Sequence, residues 1–326
     1  MESLGHVIVR MPSASTFRRA LHRVDIQALE REMARLGQEL DADEGVTGSV
    51  VGPQGEELRG QAVDGKEVRG ASAHGEKVKL VSLVRHGSGA VLGQQKVAPK
   101  SHEIVCAPQL LQGRELKGTV TTFDAAHTHK PLAQQIIDQH GDYVMLVKKN
   151  QRTLYTDIKT FFEDPTLPRR EDDRNAYTYP GKGHGRLETR TLVCSAVLTP
   201  YLHWPGGQQV FQRTCRRLLP KSGKVSEKAT YGLTSLSRQR AEAYHLEQFC
   251  RGHWTIENED HYVRDETLKE DRCQMHKGNA PEALAALKNG LLTALRYHGW
   301  TNIADALRYY AASVASTFAF LAGNAS

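Results

Sequence analysis

Three acidic residues in this chain stand where a divalent cation could be held. Asp64 follows the short apolar stretch Gln61-Ala-Val63, and Asp124 follows Gly118-Thr-Val-Thr-Thr-Phe123. Both stretches read as strands, so both carboxylates are expected at strand ends. Glu257 lies in Arg251-Gly-His-Trp-Thr-Ile-Glu-Asn258, inside a helical pattern. Hard cations such as Mg2+ take oxygen ligands and leave positions for water or phosphate oxygens. Two strand carboxylates and one from a helix packed beside the sheet would suit metal-assisted phosphodiester chemistry. By itself the pattern is weak, because Asp often ends a strand as a turn residue and helical Glu is mostly solvated. A zinc site is the competing reading. Cys250-Arg-Gly-His253 and Cys273-Gln-Met-His276 are two C-x-x-H pairs that could supply a Cys2His2 set. The first pair falls within the same helical pattern as Glu257, which weighs against it.

These residues need elements to position them. Residues 1–40 read as helical, with Pro12-Ser-Ala-Ser-Thr16 as a capping cluster. Residues 41–60 read as a loop. Strands follow at 61–63, 78–84 and 90–97, the last two joined by the turn His86-Gly-Ser-Gly89, and together they suggest a meander. Then helix and strand alternate: a helix over 102–112, a strand over 118–123, a helix over 131–140, a strand over 142–147 and a helix over 153–162. This order implies an α/β sheet of mixed direction. Pro165, Pro168, Pro180, Pro205 and Pro220 punctuate 164–237, where β-rich runs at 188–196 and 208–213 read as an inserted β-subdomain. A long polar helix is expected over 238–265, and apolar helices over 280–298 and 302–321 as core.

Composition limits the class. The chain has 326 residues, 39% hydrophobic and 25% charged, which is globular rather than disordered. No apolar run approaches the roughly 18 residues of a membrane span, so no membrane partner is expected. The net charge of +6 and pI near 9.0 permit a polyanionic partner without proving one. Five scattered cysteines argue against a disulfide framework and for a reducing cytoplasm.

Six segments, in order over about residues 60–300, resemble the DDE transposases of bacterial insertion sequences, in the ISAs-type group that includes the H-repeat-associated proteins. They are Val63-Asp-Gly-Lys-Glu-Val-Arg-Gly70, Lys100-Ser-His-Glu-Ile104, Gly118-Thr-Val-Thr-Thr-Phe-Asp-Ala125, Gly141-Asp-Tyr-Val-Met-Leu-Val-Lys-Lys-Asn-Gln151, Gly183-His-Gly-Arg-Leu-Glu-Thr-Arg190 and His253-Trp-Thr-Ile-Glu-Asn258. The resemblance implies an RNase H-like mixed sheet with flanking helices and a β-rich insertion between the second Asp and the Glu. It divides the chain into an N-terminal helical segment (1–45), a first part of the catalytic core (60–163), the insertion (164–237), and the rest of the core with the C-terminal helices (238–326). It implies a catalytic and metal-binding triad of Asp64, Asp124 and Glu257, with Mg2+, or Mn2+ in its place, supporting strand cleavage and transfer. Double-stranded DNA is the implied partner, bound by at least a homodimer, since two element ends must be joined. The implied setting is the bacterial cytoplasm, at the nucleoid.

Around that triad, Lys148, Lys149, Asn150, Gln151, Arg186, Arg190, His253, Trp254, Asn258 and Arg264 are the candidate DNA contacts; basic side chains would neutralise phosphates. Arg264 falls seven positions beyond Glu257, where related transposases place a basic residue. This sequence departs from the family in two places: Ala125-Ala-His-Thr-His-Lys130 stands where a Gln is usual, and Asp260-His-Tyr262 stands where Leu-His-Trp is usual. The family also begins with a further segment ahead of a stretch like Met11–Leu21, so the resemblance implies a shortened start. A catalytically inactive relative that only binds DNA is therefore the alternative function.

Overall fold

The structure is a computed structural model and describes residues 13–42, 48–72, 78–98, 101–167, 173–183, 185–273 and 275–323. Residues 1–12, Lys100, His184 and Gln274, which belong to stretches discussed above, lie outside the described residues.

The helical start is two helices, α1 (Ala14–Arg23) and α2 (Ile26–Ala42). Ser13 caps the first by accepting from the Thr16 amide, and Val24, in an extended conformation, ends it. A short β1 (Ser49–Val51) pairs with β2 (Glu57–Glu67), followed by the single turn α3 (Arg69–Ser72). β3 (Lys79–Arg85) and β4 (Val91–Lys96) complete the expected antiparallel meander. Next come α4 (Glu103–Leu111), β5 (Thr119–Phe123), α5 (Lys130–Asp138), β6 (Asp142–Val147) and α6 (Arg152–Glu163). β5 runs parallel to both β2 and β6. The order β4-β3-β2-β5-β6, three antiparallel strands and then two parallel ones, is the RNase H-like sheet that was expected.

The β-rich stretch joins this sheet instead of forming a layer of its own. It contains β7 (Asn175–Gly183), β8 (Arg186–Ser195), the short α7 (Thr199–Leu202), β9 (Gln209–Leu219) and β10 (Lys224–Thr234). β10 pairs antiparallel with β6, so the sheet continues β6-β10-β9-β8-β7 to ten strands in all. The β-rich runs expected at 188–196 and 208–213 fall on β8 and the start of β9. β7 has no buried residue and the outer half of β10 is mostly polar and exposed, so neither carries the apolar run of a core strand.

The long polar helix begins later than expected, as α8 (Ala243–Gly252), and continues through π-helical turns at Ile256–His261 and Val263–Thr267. The Tyr262 amide reaches back five residues to the Glu257 carbonyl, and that of Leu268 to Val263. π-Turns of this kind occur disproportionately at functional sites. The chain closes with α9 (Ala280–Tyr297), α10 (Ile303–Ala312) and α11 (Val314–Leu321), the last two separated at Ser313, which caps α11.

Two cores sandwich the sheet. On one face Val63, Phe123, Met145, Tyr231 and Leu233 pack against α4, α5 and α6. On the other Val120, Val144, Leu192, Cys194 and Phe211 pack against Leu246, Phe249 and Cys250 of α8. Strand alternation therefore puts even-numbered residues of β2 and β5 on the α8 face.

Candidate active site

Asp64 and Asp124 come side by side on that face. The last parallel pair of β2 and β5 is Val63 with Phe123, so the next position on each strand is an aspartate. β5 ends there, but β2 runs on to Glu67 against β3, with Asp64 opposite Ser82. The expectation of a strand end holds for Asp124 only. Asp64 is inside a strand, because β3 goes on supplying hydrogen-bond partners after β5 has stopped.

Asp124 is fixed by its own loop. Its Oδ1 accepts from the amides of Ala126 and His127, at 2.9 and 3.3 Å, and lies 3.1 Å from His127 Nδ1. Thr128 donates to the Asp124 and Leu146 carbonyls. Asn150 donates to the Ala125 carbonyl at 2.6 Å, and Gln151 to that of Thr128 at 2.9 Å. These bonds use Oδ1 and leave Oδ2 for a ligand. Burial pushes the Asp124 carboxyl up, but the His127 hydrogen bond and charge and the two amides outweigh it and hold it below the usual carboxylate range.

Glu257 reaches this face from the π-helical turn. Ile256 beside it is buried on Ala62 and Val84. Glu257 itself is exposed. The three carboxylates feel one another. Burial raises Asp64 to about 7, and the charges of Asp124 and Glu257 add to that rise. Burial and Asp124 raise Glu257, while Lys148 opposes the rise. Among the described residues no three His, Cys, Asp or Glu side chains are already drawn into a metal-sized cluster. Asp124 lies close enough to both Asp64 and Glu257 for its charge to act on each.

The helix bearing Glu257 is pinned by three buried groups. Thr122, two residues before Asp124, receives His86 Nε2 and His253 Nδ1, each at 3.0 Å, and donates to the Gln61 carbonyl. Burial holds both imidazoles neutral: His86 falls well below its ordinary value and His253 to about 4. The His86 ring fits between Gly60 and Gly252; a Cβ on either would meet His86 Nδ1 at 2.2 Å.

A model of the transposase DDE domain matches residues 55–294, a stretch that contains all of these groups. The chain belongs to the transposase DDE-domain family. A protein of Escherichia coli O157:H7 named "Putative transposase YncI" is 28% identical over 289 residues, 88% of this chain and 71% of the relative. YbfL of strain K12 is 30% identical, and the H repeat-associated YhhI of the same strain 29%, each covering 70% of this chain and 61% of the relative. A piggyBac transposase synaptic complex with hairpin DNA overlaps at a TM-score of 0.38 with 10% identity, over 88% of this chain and 61% of that one, too slight a likeness to carry an argument.

In this DDE-domain protein the other candidate residues fall into distinct environments. Lys148, Lys149 and Asn150 are exposed after β6, and Lys148 is close enough to influence Glu257. Trp254 and Asn258 are exposed on the same helix as Glu257. Arg186 and Arg190 lie on β8, both paired with Glu188. Two candidates are corrected. Arg264 has no exposed surface, and its guanidinium is bonded to Glu270 and Asp260, so it faces the interior and not a phosphate. His253 is buried on Thr122. Both are buried, as are Ile256 and Asp260 between them. The C-x-x-H pair there is split in role, since Cys250 packs into the core beneath α8. Sequence reasoning missed His86, Thr122 and His127. Only His127 left a signal, its position three residues after Asp124.

Proposed function

We propose that this transposase-family protein cleaves and transfers DNA strands, using Asp64, Asp124 and Glu257 to hold divalent cations, Mg2+ or Mn2+ in its place. The observation that supports this reading is the placement of Asp64 and Asp124 at adjacent positions of β2 and β5 on one sheet face, with Glu257 near enough for its charge to act on Asp64, whose carboxyl burial, and then these charges, raise to about 7. Such crowding is costly without a cation, and its all-oxygen donor set suits a hard one. When bound, the cation would supply Lewis acidity for an oxygen nucleophile and charge stabilisation at phosphorus.

The side chains present account for the rest. His127 and the loop amides keep Asp124 ionised and oriented. Lys148 offers a positive charge beside Glu257 for a phosphate oxygen. Asn150 and Gln151 act by holding the Asp124 loop, and Lys149, Trp254 and Asn258 line the approach for a DNA strand; an exposed indole suits base stacking. Residues 60–163 and 238–326 make the catalytic core, with 164–237 and the N-terminal helices serving DNA. Double-stranded DNA is the substrate, engaged by two or more copies at the nucleoid.

The test is a cleavage assay on labelled element-end fragments with Mg2+. Asp124→Asn should abolish cleavage and retain duplex binding, because phosphate contacts dominate affinity. Equal cleavage by wild type and variant would overturn the assignment.

A further inference from the structure

β7–β10 make an arm that projects past the catalytic end of the sheet. Tyr231 is the first residue of β10 to pair with β6, opposite Val147. Val147 lies just beyond the level of Asp124, because Met145 pairs with Phe123. The seven residues from Lys224 to Thr230 therefore run on past the carboxylates, at about 3.4 Å each, or roughly 20 Å. β9, β8 and β7 accompany them in unbroken antiparallel register.

One face of this arm continues the carboxylate face. Phe211 and Leu192 lie in the core beneath α8, so odd-numbered residues of β9 and even-numbered residues of β8 and β10 share its side. Arg213, Arg217, Arg186, Arg190 and Lys228 are all on it. Arg251 of α8 lies 5.2 Å from the Tyr179 ring, and Arg190 bonds the Tyr179 hydroxyl. A row of guanidinium groups thus runs from the helix that carries Glu257 out towards the tip of the arm.

Glu188 sits in the middle of that row. Its carboxylate takes Arg186 Nε at 2.8 Å, Arg217 Nε at 2.9 Å and Arg190 Nη2 at 2.6 Å. It is covered by these arginines, not by the protein interior, and they remain 40%, 45% and 28% exposed. Three cations around one anion leave a net positive charge, and guanidinium forks bind carboxylate and phosphate oxygens alike.

We propose that Glu188 is a built-in stand-in for phosphate: it keeps Arg186, Arg190 and Arg217 gathered on the arm, and a DNA backbone lying along this face displaces it. This rests on the reading that the protein acts on DNA. The carboxylate sets the resting geometry and lowers the affinity for arbitrary duplex, so the arm holds DNA without trapping it.

The test is binding of a fluorescein-labelled duplex of arbitrary sequence, followed by anisotropy over a range of salt. Glu188→Gln removes one negative charge from the DNA-facing surface. It should tighten binding roughly five- to tenfold at low salt and steepen the salt dependence by about one phosphate equivalent. Arg186→Gln combined with Arg217→Gln should weaken binding at least about tenfold and flatten that dependence. Circular dichroism verifies folding. Should Glu188→Gln not fold, the arginine pair decides, and unchanged binding by that variant overturns the proposal. Unchanged or weaker binding by folded Glu188→Gln overturns it too. A wild-type protein that binds no duplex at all would refute the DNA reading itself, whereas a binding wild type with indifferent variants refutes only the role of the arm.

Discussion

Arg264 shows how far a residue's type can mislead about its task. Its guanidinium lies between Asp260 and two oxygens of Glu270, with Lys66 and Lys288 within 4.0 and 3.7 Å of the same glutamate. Lys66, from β2, also meets Asp265 at 2.5 Å. This buried network ties the strand of Asp64 to the π-helical segment of Glu257. Breaking one partner leaves uncompensated buried charge. Arg264→Met is therefore expected to cost about 3–5 kcal/mol of stability, measured by urea unfolding, and to leave DNA affinity per folded molecule unchanged. A drop in affinity with stability intact would return Arg264 to the DNA surface.

At the scale of elements, the decisive contact is the close approach of α8 to β2. Gly252 and Gly60 face the two sides of the His86 ring, and Thr122 collects both imidazoles beneath the helix. Gly252→Ala drives a methyl group to 2.2 Å from His86 Nδ1 and must lift the helix or expel the ring. Either movement displaces Glu257, since a shift of about 1 Å can cost a hundredfold in rate. The expected outcome is a cleavage rate at least roughly a hundredfold lower with much of the fold retained, read by single-turnover cleavage beside circular dichroism. Wild-type cleavage by this variant would show that helix placement does not set the rate.

Across the whole molecule, α1 and α2 pack on the outer side of the meander and on α9. Leu21 lies against Ala280 and Ala283, Asp41 pairs with Arg85, and Glu30 accepts from Gln94. Burial, reinforced by Glu282 nearby, raises Glu30 to about 7. A carboxyl raised on folding binds its proton more tightly in the native state, so stability falls as pH rises from about 4.5 to 7 and then levels off. The melting temperature should therefore drop by a few degrees from this source between those pH values. Glu30→Gln should flatten the slope in that window. An unchanged slope in the variant would show that this docking does not titrate there.

Sequence by itself determined the elements whose side chains alternate or repeat: the meander, the parallel strands β5 and β6, and the helices α4 to α6 and α9. It also supplied Asp64, Asp124 and Glu257 as candidates, through short segments whose order resembles one family. Hydrophobic period is a local signal, and these elements bury one face or both. It could not give the polar arm strands, whose pairing depends on a sheet already formed, or the π-turns, which depend on where the helix must meet the sheet. Tertiary structure alone decided that Arg264 faces inward, that Thr122 anchors two neutral histidines, and that Glu188 gathers three arginines. Each includes a partner far off in the chain, Lys66 in the network of Arg264, His253 on Thr122 and Arg217 on Glu188, and their burial and partners exist only once the strands and helices have packed.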